Sequence, residues 1–212
     1  MLARDITHNV SSQWKPGDMQ KSNQFEHPIL DLIKNRRSSR AFSKQPIGSE
    51  KINSLFEATR WAPSSTNEQP WLYIYATQDQ HELWNKLFDC LNDSNKIWAK
   101  DAFLLILSLA RKNFSRYSGA NAHAMYDLGG ANSFLTLQAV ELGLQVRQMA
   151  GFNHQKTVEE INIPVDTYEV GVFIAVGYPG DPQTLPENLK LRELAPRERF
   201  LQQEFVMNKT FE

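Results

Sequence analysis

The stretch Ala62-Pro63-Ser64-Ser65-Thr66-Asn67-Glu68-Gln69-Pro70-Trp71 joins a predicted helix to a predicted strand. Before it, apolar residues recur at helical spacing from Ile52 to Thr59, and Ser49 is placed to cap that helix. Pro63 disfavours helical geometry at Ala62, so the helix should end near Trp61. After the stretch, residues 71–76 are aromatic and β-branched, which predicts a strand.

The segments on either side extend this alternation of helices and strands. Periodicity and length predict four further helices, at residues 28–36, 83–91, 122–142 and 153–163, and two further buried strands, at residues 102–109 and 170–176. Gly143 should end the long helix, because glycine tolerates the left-handed conformation found there. The order lacks regular βαβ alternation and predicts an α+β fold, with a mixed β-sheet between helix layers.

The composition indicates one globular domain. The chain has 212 residues, of which 41% are hydrophobic and 22% charged, so it can build a core. Residues 1–26 are polar and form a predicted N-terminal arm, while residues 27–212 form a single domain with a polar C-terminal tail. The formal net charge of −1 argues against binding of nucleic acid through bulk electrostatics.

The ends and the single cysteine indicate the compartment. Cys90 cannot form an internal disulfide or a thiolate metal cluster, and a small apolar helix residue is the ordinary interpretation. The first residues lack the apolar stretch of a signal peptide, and no run reaches the ~20 apolar residues of a membrane span. We therefore expect a cytoplasmic protein without a membrane partner.

Several common catalytic motifs are missing from the sequence. It contains no P-loop, no G-x-G-x-x-G after a strand, no H-E-x-x-H and no G-x-S-x-G. The five histidines, at positions 8, 27, 81, 123 and 154, lack metal-ligand spacing. Metal-dependent hydrolysis and triad chemistry are therefore disfavoured, and we predict no metal site.

Two segments carry residue types that bind small anions and ring edges. Residues 36–40 read Arg36-Arg37-Ser38-Ser39-Arg40, and guanidinium groups bind phosphate in bidentate fashion. A solvated basic patch is the alternative for this segment. The loop at residues 63–69 offers hydroxyls and amides held between two prolines, but it could equally be an ordinary connector.

Together these residues resemble the FMN-dependent nitroreductase family. Residues 36–40 are similar to its opening R-R-S-x-R segment, and residues 63–71 resemble its P-S-S-x-N-x-Q-P-W loop. Asn95 with Trp98 resembles the N-x-x-W step, and Gly151 falls where the family has a glycine beside the flavin. The resemblance covers about residues 28 to 205 and implies a nitroreductase-like fold in an intertwined homodimer.

The resemblance also implies roles at the phosphate end of FMN. Arg36, Arg37 and Ser38 should hold the phosphate and the ribityl chain. Arg197 and Arg199 resemble the family's late basic pair, which also meets the phosphate, although alone they indicate almost nothing.

At the ring end, the resemblance implies contacts from both subunits. Arg40 should reach the pyrimidine edge, Asn95 should bond the polar edge, and the Gly151 amide should point near N5 or O4. The partner subunit should contribute Pro63, Ser64, Ser65 and Asn67.

The implied activity is transfer of a hydride from NADH or NADPH through flavin N5 to a nitroaromatic or quinone-type acceptor, in ping-pong fashion. FMN carries the redox step, so we name no catalytic side chain. Two alternatives stay open: another redox reaction on the same FMN dimer (dehydrogenation, reductive dehalogenation or flavin breakdown), and a non-catalytic flavin-binding protein.

One segment departs from a branch of the family that has a proline and a glutamate before the glycine. Here it is Gln148-Met149-Ala150, which puts the usual acceptor preference in doubt. Phe114 and Tyr117 fall near the position of the acceptor pocket and could stack on acceptors, or could simply pack or lie on the surface. The physiological acceptor, the choice of NADH or NADPH and the role of the arm do not follow from the sequence.

Overall fold

A computed structural model of the chain describes residues 19–210, which fall into two compact units. One unit comprises residues 19–29 and 195–210, and the other runs from Leu30 to Leu194. Residues 1–18 of the predicted N-terminal arm lie outside the described residues, and the predicted domain boundaries stay a prediction.

The helices and strands in chain order are β1 (Lys21–Ser22), α1 (Asp31–Asn35), α2 (Ser49–Arg60), β2 (Trp71–Thr77), α3 (His81–Asp89), α4 (Asp93–Ala99), β3 (Leu104–Arg111), α5 (Ala124–Glu141), β4 (Gln145–Met149), α6 (His154–Ile161), β5 (Tyr168–Gly177), α7 (Glu187–Leu194) and β6 (Arg199–Phe200). Three short 3₁₀ turns lie at Ser65–Asn67, Pro182–Thr184 and Gln202–Glu204.

The smaller unit is a two-stranded antiparallel ribbon. Lys21 of β1 pairs with Phe200 of β6, and the Lys21 ammonium lies 5.0 Å from the centroid of the Phe200 ring. The Glu26 carboxylate accepts a hydrogen bond from the backbone N–H of Gln202 at 2.8 Å. The predicted polar tail therefore contains a strand in this unit, and it also contains helix α7 of the larger unit.

The larger unit is built on a four-stranded sheet in the order β2-β3-β5-β4. Each neighbouring pair is antiparallel, and a parallel bridge between Ser38 and Val146 extends the sheet beyond β4. The predicted α+β fold with a mixed sheet is confirmed. Strand β4 was not predicted, because Gln145, Arg147 and Gln148 interrupt its apolar pattern.

Helices cover both faces of this sheet, as predicted. In β3, Leu105 and Leu107 enter the core that α3, α4 and α6 close, whereas Leu104 and Ile106 enter the core under α2 and α5. This alternation follows from the two-residue period of a strand. Every residue of β3 from Leu104 to Ala110 is buried, and all of them except Ser108 are apolar.

A buried polar network joins α5 to the centre of the sheet. The Ser108 hydroxyl donates to the Val172 carbonyl at 2.9 Å and accepts from the Val172 N–H at 3.0 Å, at an irregularity between β3 and β5. Asn132 of α5 donates to Ser108 at 3.4 Å and accepts from the Tyr73 hydroxyl at 2.9 Å. A Cβ atom at Gly171 would lie 2.9 Å from the Ser108 carbonyl oxygen, so only glycine fits there.

Helix α5 has the long span that the sequence predicts. It is followed by Gly143, whose φ of +73° is the left-handed conformation expected after a helix end. Within residues 19–210, no helix has the length and apolar character needed to cross a membrane.

Candidate flavin site

Residues 36–40 lie along the outer edge of β4 without forming a helix or strand of their own. The Ser38–Val146 bridge fixes the middle of this basic segment against β4. The Arg36 guanidinium donates to the Ser38 hydroxyl at 3.1 Å, and Arg147 of β4 donates to the Ser38 carbonyl. Arginine and hydroxyl groups are therefore gathered at one edge of the sheet.

Helix α7 holds the same segment from its other side. The Glu193 carboxylate accepts the Arg40 backbone N–H at 3.1 and 3.0 Å, and its Oε2 lies 3.7 Å from Arg40 Nη1. The Glu193 carbonyl accepts from Arg37 Nη2 at 2.8 Å. The side chains of Arg40 and Glu193 are only 14% and 7% exposed, so this ion pair is shielded from water.

Arg147 and Arg192 add positive charge near this pair. The pKa of Arg147 is lowered to about 10, chiefly by burial and also by the nearby Arg40 charge, with Glu193 acting in the opposite direction. Burial also lowers the pKa of Arg40, against the opposing effect of Glu193. The Arg147 guanidinium lies 5.4 Å from the Trp98 ring centroid, a position in which a cation is attracted to the ring face.

A pocket of about 300 Å³ opens between this edge and α5. It is lined by Arg36, Ser38, Ser133, Thr136, Leu137, Val146 and Gln148. The Gln148 amide turns toward α5 and donates to the Thr136 hydroxyl at 3.2 Å. The pocket therefore offers a cation, three hydroxyl groups and an amide on an apolar floor.

Asn95 and Gly151 lie in contact and form a hydrogen bond with each other. The Asn95 side chain donates to the Gly151 carbonyl at 2.8 Å, and the Asn92 N–H donates to the same oxygen at 3.1 Å. A Cβ atom at Gly151 would lie 2.7 Å from Asn95 Nδ2, so a larger residue would displace that amide.

The loop with Pro63, Ser64, Ser65 and Asn67 belongs to the opposite edge of the sheet. It leads into β2, and three inter-strand spacings of about 4.8 Å, roughly 14 Å in all, separate β2 from β4. Asp127 of α5 holds the loop by accepting from the Ser65 N–H at 3.0 Å. No residue of this loop is among those that line the pocket.

The backbone of this loop is strained. Thr66, Asn67 and Gln69 have φ values of 51°, 56° and 50°, in the left-handed region that side chains other than glycine seldom adopt. Ser64 Oγ accepts from the Gln69 N–H at 3.0 Å and so holds the turn closed. Strain of this kind persists only where surrounding contacts impose it, and it concentrates at functional sites.

Glu68 supplies such contacts from inside the protein. Its side chain is 0% exposed, and its Oε1 accepts from the Ser115 N–H at 2.6 Å and from Arg111 Nη2 at 3.0 Å. The hydrogen bond from Ser115 is the largest cause that lowers the pKa of Glu68. Glu68 therefore ties the strained loop to the hairpin of residues 112–121, which carries Phe114 and Tyr117.

The rings of Phe114 and Tyr117 contact each other within that hairpin. Their centroids are 5.9 Å apart in an edge-on arrangement, and Tyr117 is exposed.

Arg197 and Arg199 belong to the smaller unit, where Arg199 donates to the Glu198 carbonyl at 2.7 Å. In the part of the chain that the structure describes, no group of three His, Cys, Asp or Glu residues could hold a metal ion.

Three contributors to these sites were not found from the sequence. Arg147 and Glu193 lie on short elements that were not predicted, and Thr136 is one hydroxyl within a long helix. A buried carboxylate beside several arginines is a contact between distant segments, which periodicity cannot reveal. The sequence offered one signal for Arg147: a charged residue stands between Val146 and Gln148, within a stretch that also contains apolar residues.

Comparisons with known proteins identify the class to which this fold belongs. The model of the nitroreductase family matches residues 33–104. A crystal structure of an oxidoreductase containing FMN is 32% identical with a TM-score of 0.83, covering 92% of this chain and 99% of that chain. A nitroreductase family protein from Clostridium difficile is 27% identical with a TM-score of 0.68, covering 87% of this chain and 100% of that chain.

The chain belongs to the nitroreductase family. Among curated relatives, the nitrobenzene nitroreductase of Ectopseudomonas oleovorans is 41% identical over 54 residues, which are 26% of this chain and 24% of that protein. The match thus spans about a quarter of that relative's length.

The anchoring role of Glu68 predicts a specific change in the hairpin. In Glu68→Gln, the charge that holds Arg111 and Ser115 is lost, so trypsin should cleave after Lys112 or Arg116 at least several times faster than in the wild type. Mass spectrometry of timed digests measures this. Glu82→Gln, whose side chain is 90% exposed, is the matched control, and an equal rate in all three proteins would contradict the anchor.

The same contact has a defined dependence on pH. The pKa of Glu68 is lowered in the folded protein. The ionised Glu68 side chain therefore stabilises the fold fully above its unfolded pKa of about 4.3, and this stabilisation is lost only as pH falls through the lower folded pKa. Hydrogen exchange at the Ser115 N–H should therefore stay slow at pH 4.5.

Proposed function

We propose that the chain is an FMN-dependent oxidoreductase that uses NADH or NADPH to reduce nitroaromatic or quinone-type acceptors. The observation that carries the proposal is the pocket at the β4 edge, where Arg36 and Ser38 of the basic segment meet Ser133, Thr136 and Gln148. The resemblance to an oxidoreductase containing FMN supports it.

The residues present fit the chemistry of FMN. A phosphate dianion is bound well by guanidinium and hydroxyl groups, which Arg36, Arg37 and Ser38 offer. The hydroxyls of Ser133 and Thr136 suit a polyol chain, and the Gln148 amide can both donate to and accept from a ring edge. We propose that Asn95 and Gly151 form the next part of the site; the roles of Arg197 and Arg199 stay predictions from the sequence.

Bound FMN would supply the redox chemistry, a ping-pong exchange of electrons through flavin N5 between NAD(P)H and the acceptor. The protein's residues bind, orient and shield. The arginines would bind the phosphate, and the Ser38–Val146 bridge and the Asn95–Gly151 hydrogen bond hold the backbone that would contact FMN. No side chain is needed as a nucleophile, and we assign no catalytic side chain.

We further propose that a homodimer completes the site. A pocket of about 300 Å³ is at the lower limit for small-molecule sites, and Ser65 and Asn67 lie beyond the opposite edge of the same sheet. Leu30 and Ile33 near α1 and Tyr126 and Phe134 on α5 are exposed, and α1 packs on α5. Apolar surface of this extent is typical of protein interfaces.

The acceptor would bind against the hairpin of residues 112–121. Glu68 follows Asn67 directly and accepts a hydrogen bond from Ser115. The hairpin would therefore lie beside the same flavin that the loop contacts. Phe114 and Tyr117 then form an aromatic wall for planar acceptors. The cytosolic location predicted from the sequence stays a prediction.

The first test of the function is an absorbance spectrum of the purified protein before and after anaerobic addition of NADPH and then NADH. We expect a flavin spectrum that one or both donors bleach. A yellow protein that neither donor bleaches would contradict this activity and indicate another redox reaction or a non-catalytic flavin protein. A colourless protein that cannot be loaded with FMN would overturn the site.

Mixed dimers test the shared site. Arg36→Ala and Asn67→Gly are placed on separately tagged chains, and glycine at position 67 removes the amide while relieving the positive φ. Each homodimer should hold little flavin, whereas the mixed dimer should hold about one FMN per dimer, because one of its two sites has both parts intact. Flavin is quantified after tandem affinity purification.

The converse pairing is the control for this experiment. A chain carrying both substitutions, paired with a wild-type chain, leaves each shared site with one damaged part, so little flavin should be bound. One FMN per dimer in this pairing, with none in the first, would mean that each site is built within a single chain.

The aromatic wall predicts a separation of kinetic effects. Phe114→Ala and Tyr117→Ala should each raise the acceptor KM by roughly 5- to 20-fold, the loss expected for one aromatic contact. The rate at which NADPH bleaches the flavin should stay within about twofold. Stopped-flow absorbance and steady-state assays measure the two quantities, and an unchanged acceptor KM would remove the hairpin from the pocket.

A further inference from the structure

The Glu68 side chain turns inward from the strained loop of residues 63–69 and contacts the hairpin. Its Oε1 accepts from the Ser115 N–H at 2.6 Å and from Arg111 Nη2 at 3.0 Å, while Arg111 also donates to the Glu68 carbonyl at 3.3 Å. Among the described residues, Glu68 Oε2 has no hydrogen-bond partner, so the side-chain contacts of Glu68 lead to Arg111 and Ser115. Three hydrogen bonds thus join one residue of the loop to the hairpin and to the end of β3 before it.

A second carboxylate also meets the start of the hairpin, but at the surface. Arg111 and Lys112 are consecutive cations, and Lys112 Nζ lies 3.1 Å from Glu169 Oε2 in a pair whose side chains are 39% and 46% exposed. Ion pairs exposed to this extent contribute little, whereas a fully buried carboxylate such as Glu68 is costly to separate from its partner. Glu68 therefore fixes the hairpin far more firmly than Glu169 does.

The point at which Glu68 holds the hairpin lies beside its two aromatic rings. Ser115 follows Phe114 directly and precedes Tyr117 by two residues. The Phe114 N–H donates to the Gly119 carbonyl at 3.2 Å, which closes the hairpin, and the two ring centroids are 5.9 Å apart. Fixing the backbone at Ser115 therefore limits the positions that both rings can take.

The other end of this connection is the part of the loop expected to meet the flavin. Asn67 is the chain neighbour of Glu68, so a single hydrogen bond, from Ser115 to Glu68, separates the flavin-contacting loop from the residue next to Phe114. An aromatic ring held in advance loses less freedom when a planar molecule stacks on it, and that saving strengthens binding. The contact thus acts on the molecule that stacks against the hairpin.

We propose that Glu68 is a positioning residue for the electron acceptor: it sets the place of the Phe114 and Tyr117 rings relative to the loop that contacts FMN. The inference rests on the proposed function, in which the loop meets the flavin and the hairpin meets the acceptor. Its consequence is that Glu68 controls acceptor binding through the two rings, without touching the acceptor, and leaves reduction of the flavin by NADPH nearly unchanged.

The test begins with Glu68→Ala in the full-length, FMN-loaded protein, with nitrobenzene as the acceptor. The acceptor KM should rise by roughly 5- to 20-fold, as far as removal of one of the rings would raise it. The rate at which NADPH bleaches the flavin should stay within about twofold. Steady-state assays and stopped-flow absorbance measure the two quantities, and an unchanged acceptor KM would overturn the proposal.

Glu169→Gln is the matched control, because it removes the carboxylate that pairs with Lys112 without touching the loop. Its acceptor KM should stay within about twofold of the wild type. A rise as large as that in Glu68→Ala would overturn the proposal, because loss of any contact at the start of the hairpin would then have the same effect.

A double-mutant cycle tests whether Glu68 acts through the rings. In a chain that already carries Phe114→Ala and Tyr117→Ala, adding Glu68→Ala should change the acceptor KM by less than about twofold, because the groups that it positions are absent. Residues that act through one contact are non-additive, whereas independent residues add. A full further rise in KM in this background would mean that Glu68 acts by another route and would overturn the proposal.

A milder variant keeps the test available if circular dichroism shows that Glu68→Ala is unfolded. Glu68→Gln keeps an oxygen that can accept from Ser115 but loses the charge that pairs with Arg111, so a smaller rise in KM, of at least about twofold, is expected. No rise overturns the proposal. Wild-type protein that NADPH and NADH fail to bleach would contradict the proposed function itself, whereas a normal wild type with an unchanged KM in the Glu68 variants contradicts the positioning role alone.

Discussion

The complete burial of β3 is the constraint on which the larger unit depends. A strand that is apolar on both faces must be covered twice, and the side chains of Leu105 and Leu107 pack under α3, α4 and α6 while those of Leu104 and Ile106 pack under α2 and α5. With both faces occupied, polar groups that must meet a ligand can gather only at the edges of the sheet. The basic segment lies at the β4 edge, and the strained loop leads into the β2 edge.

This separation places the two candidate flavin-binding segments at opposite edges of the sheet within one chain. The two segments that most resemble flavin-binding motifs lie on strands that are three spacings apart, yet each is held firmly by its own neighbours: residues 37–40 by Glu193 and Arg147, and the loop by Asp127 and Glu68. Under the proposed homodimer, a second copy would bring these rigid but distant parts together. The exposed apolar residues on α5 lie between the two edges, where an interface of this kind would have to form.

The elements that could be predicted are those with a strong local signal. The apolar run of β3, the periodicity of α2 and the length of α5 each define an element without help from the rest of the chain. Strand β4 and helix α7 have no such signal, since Arg147 and Gln148 interrupt the first and the second is mostly polar. The sequence also singles out residues 36–40 and 63–67, whose roles stay predictions. Their partners Glu193 and Asp127 could not be found, because those contacts join residues that are 60 or more positions apart.

The charges around Glu193 carry a desolvation cost in the folded protein. Burying an ion pair is seldom favourable by itself, and here burial lowers the pKa of both Arg40 and Arg147, with Glu193 acting in the opposite direction. A hydrophobic cluster of similar volume would stabilise the fold at least as well. The arrangement makes physical sense when the surplus positive charge has an anionic ligand to meet, because the ligand's charge then offsets a cost that the empty protein bears alone.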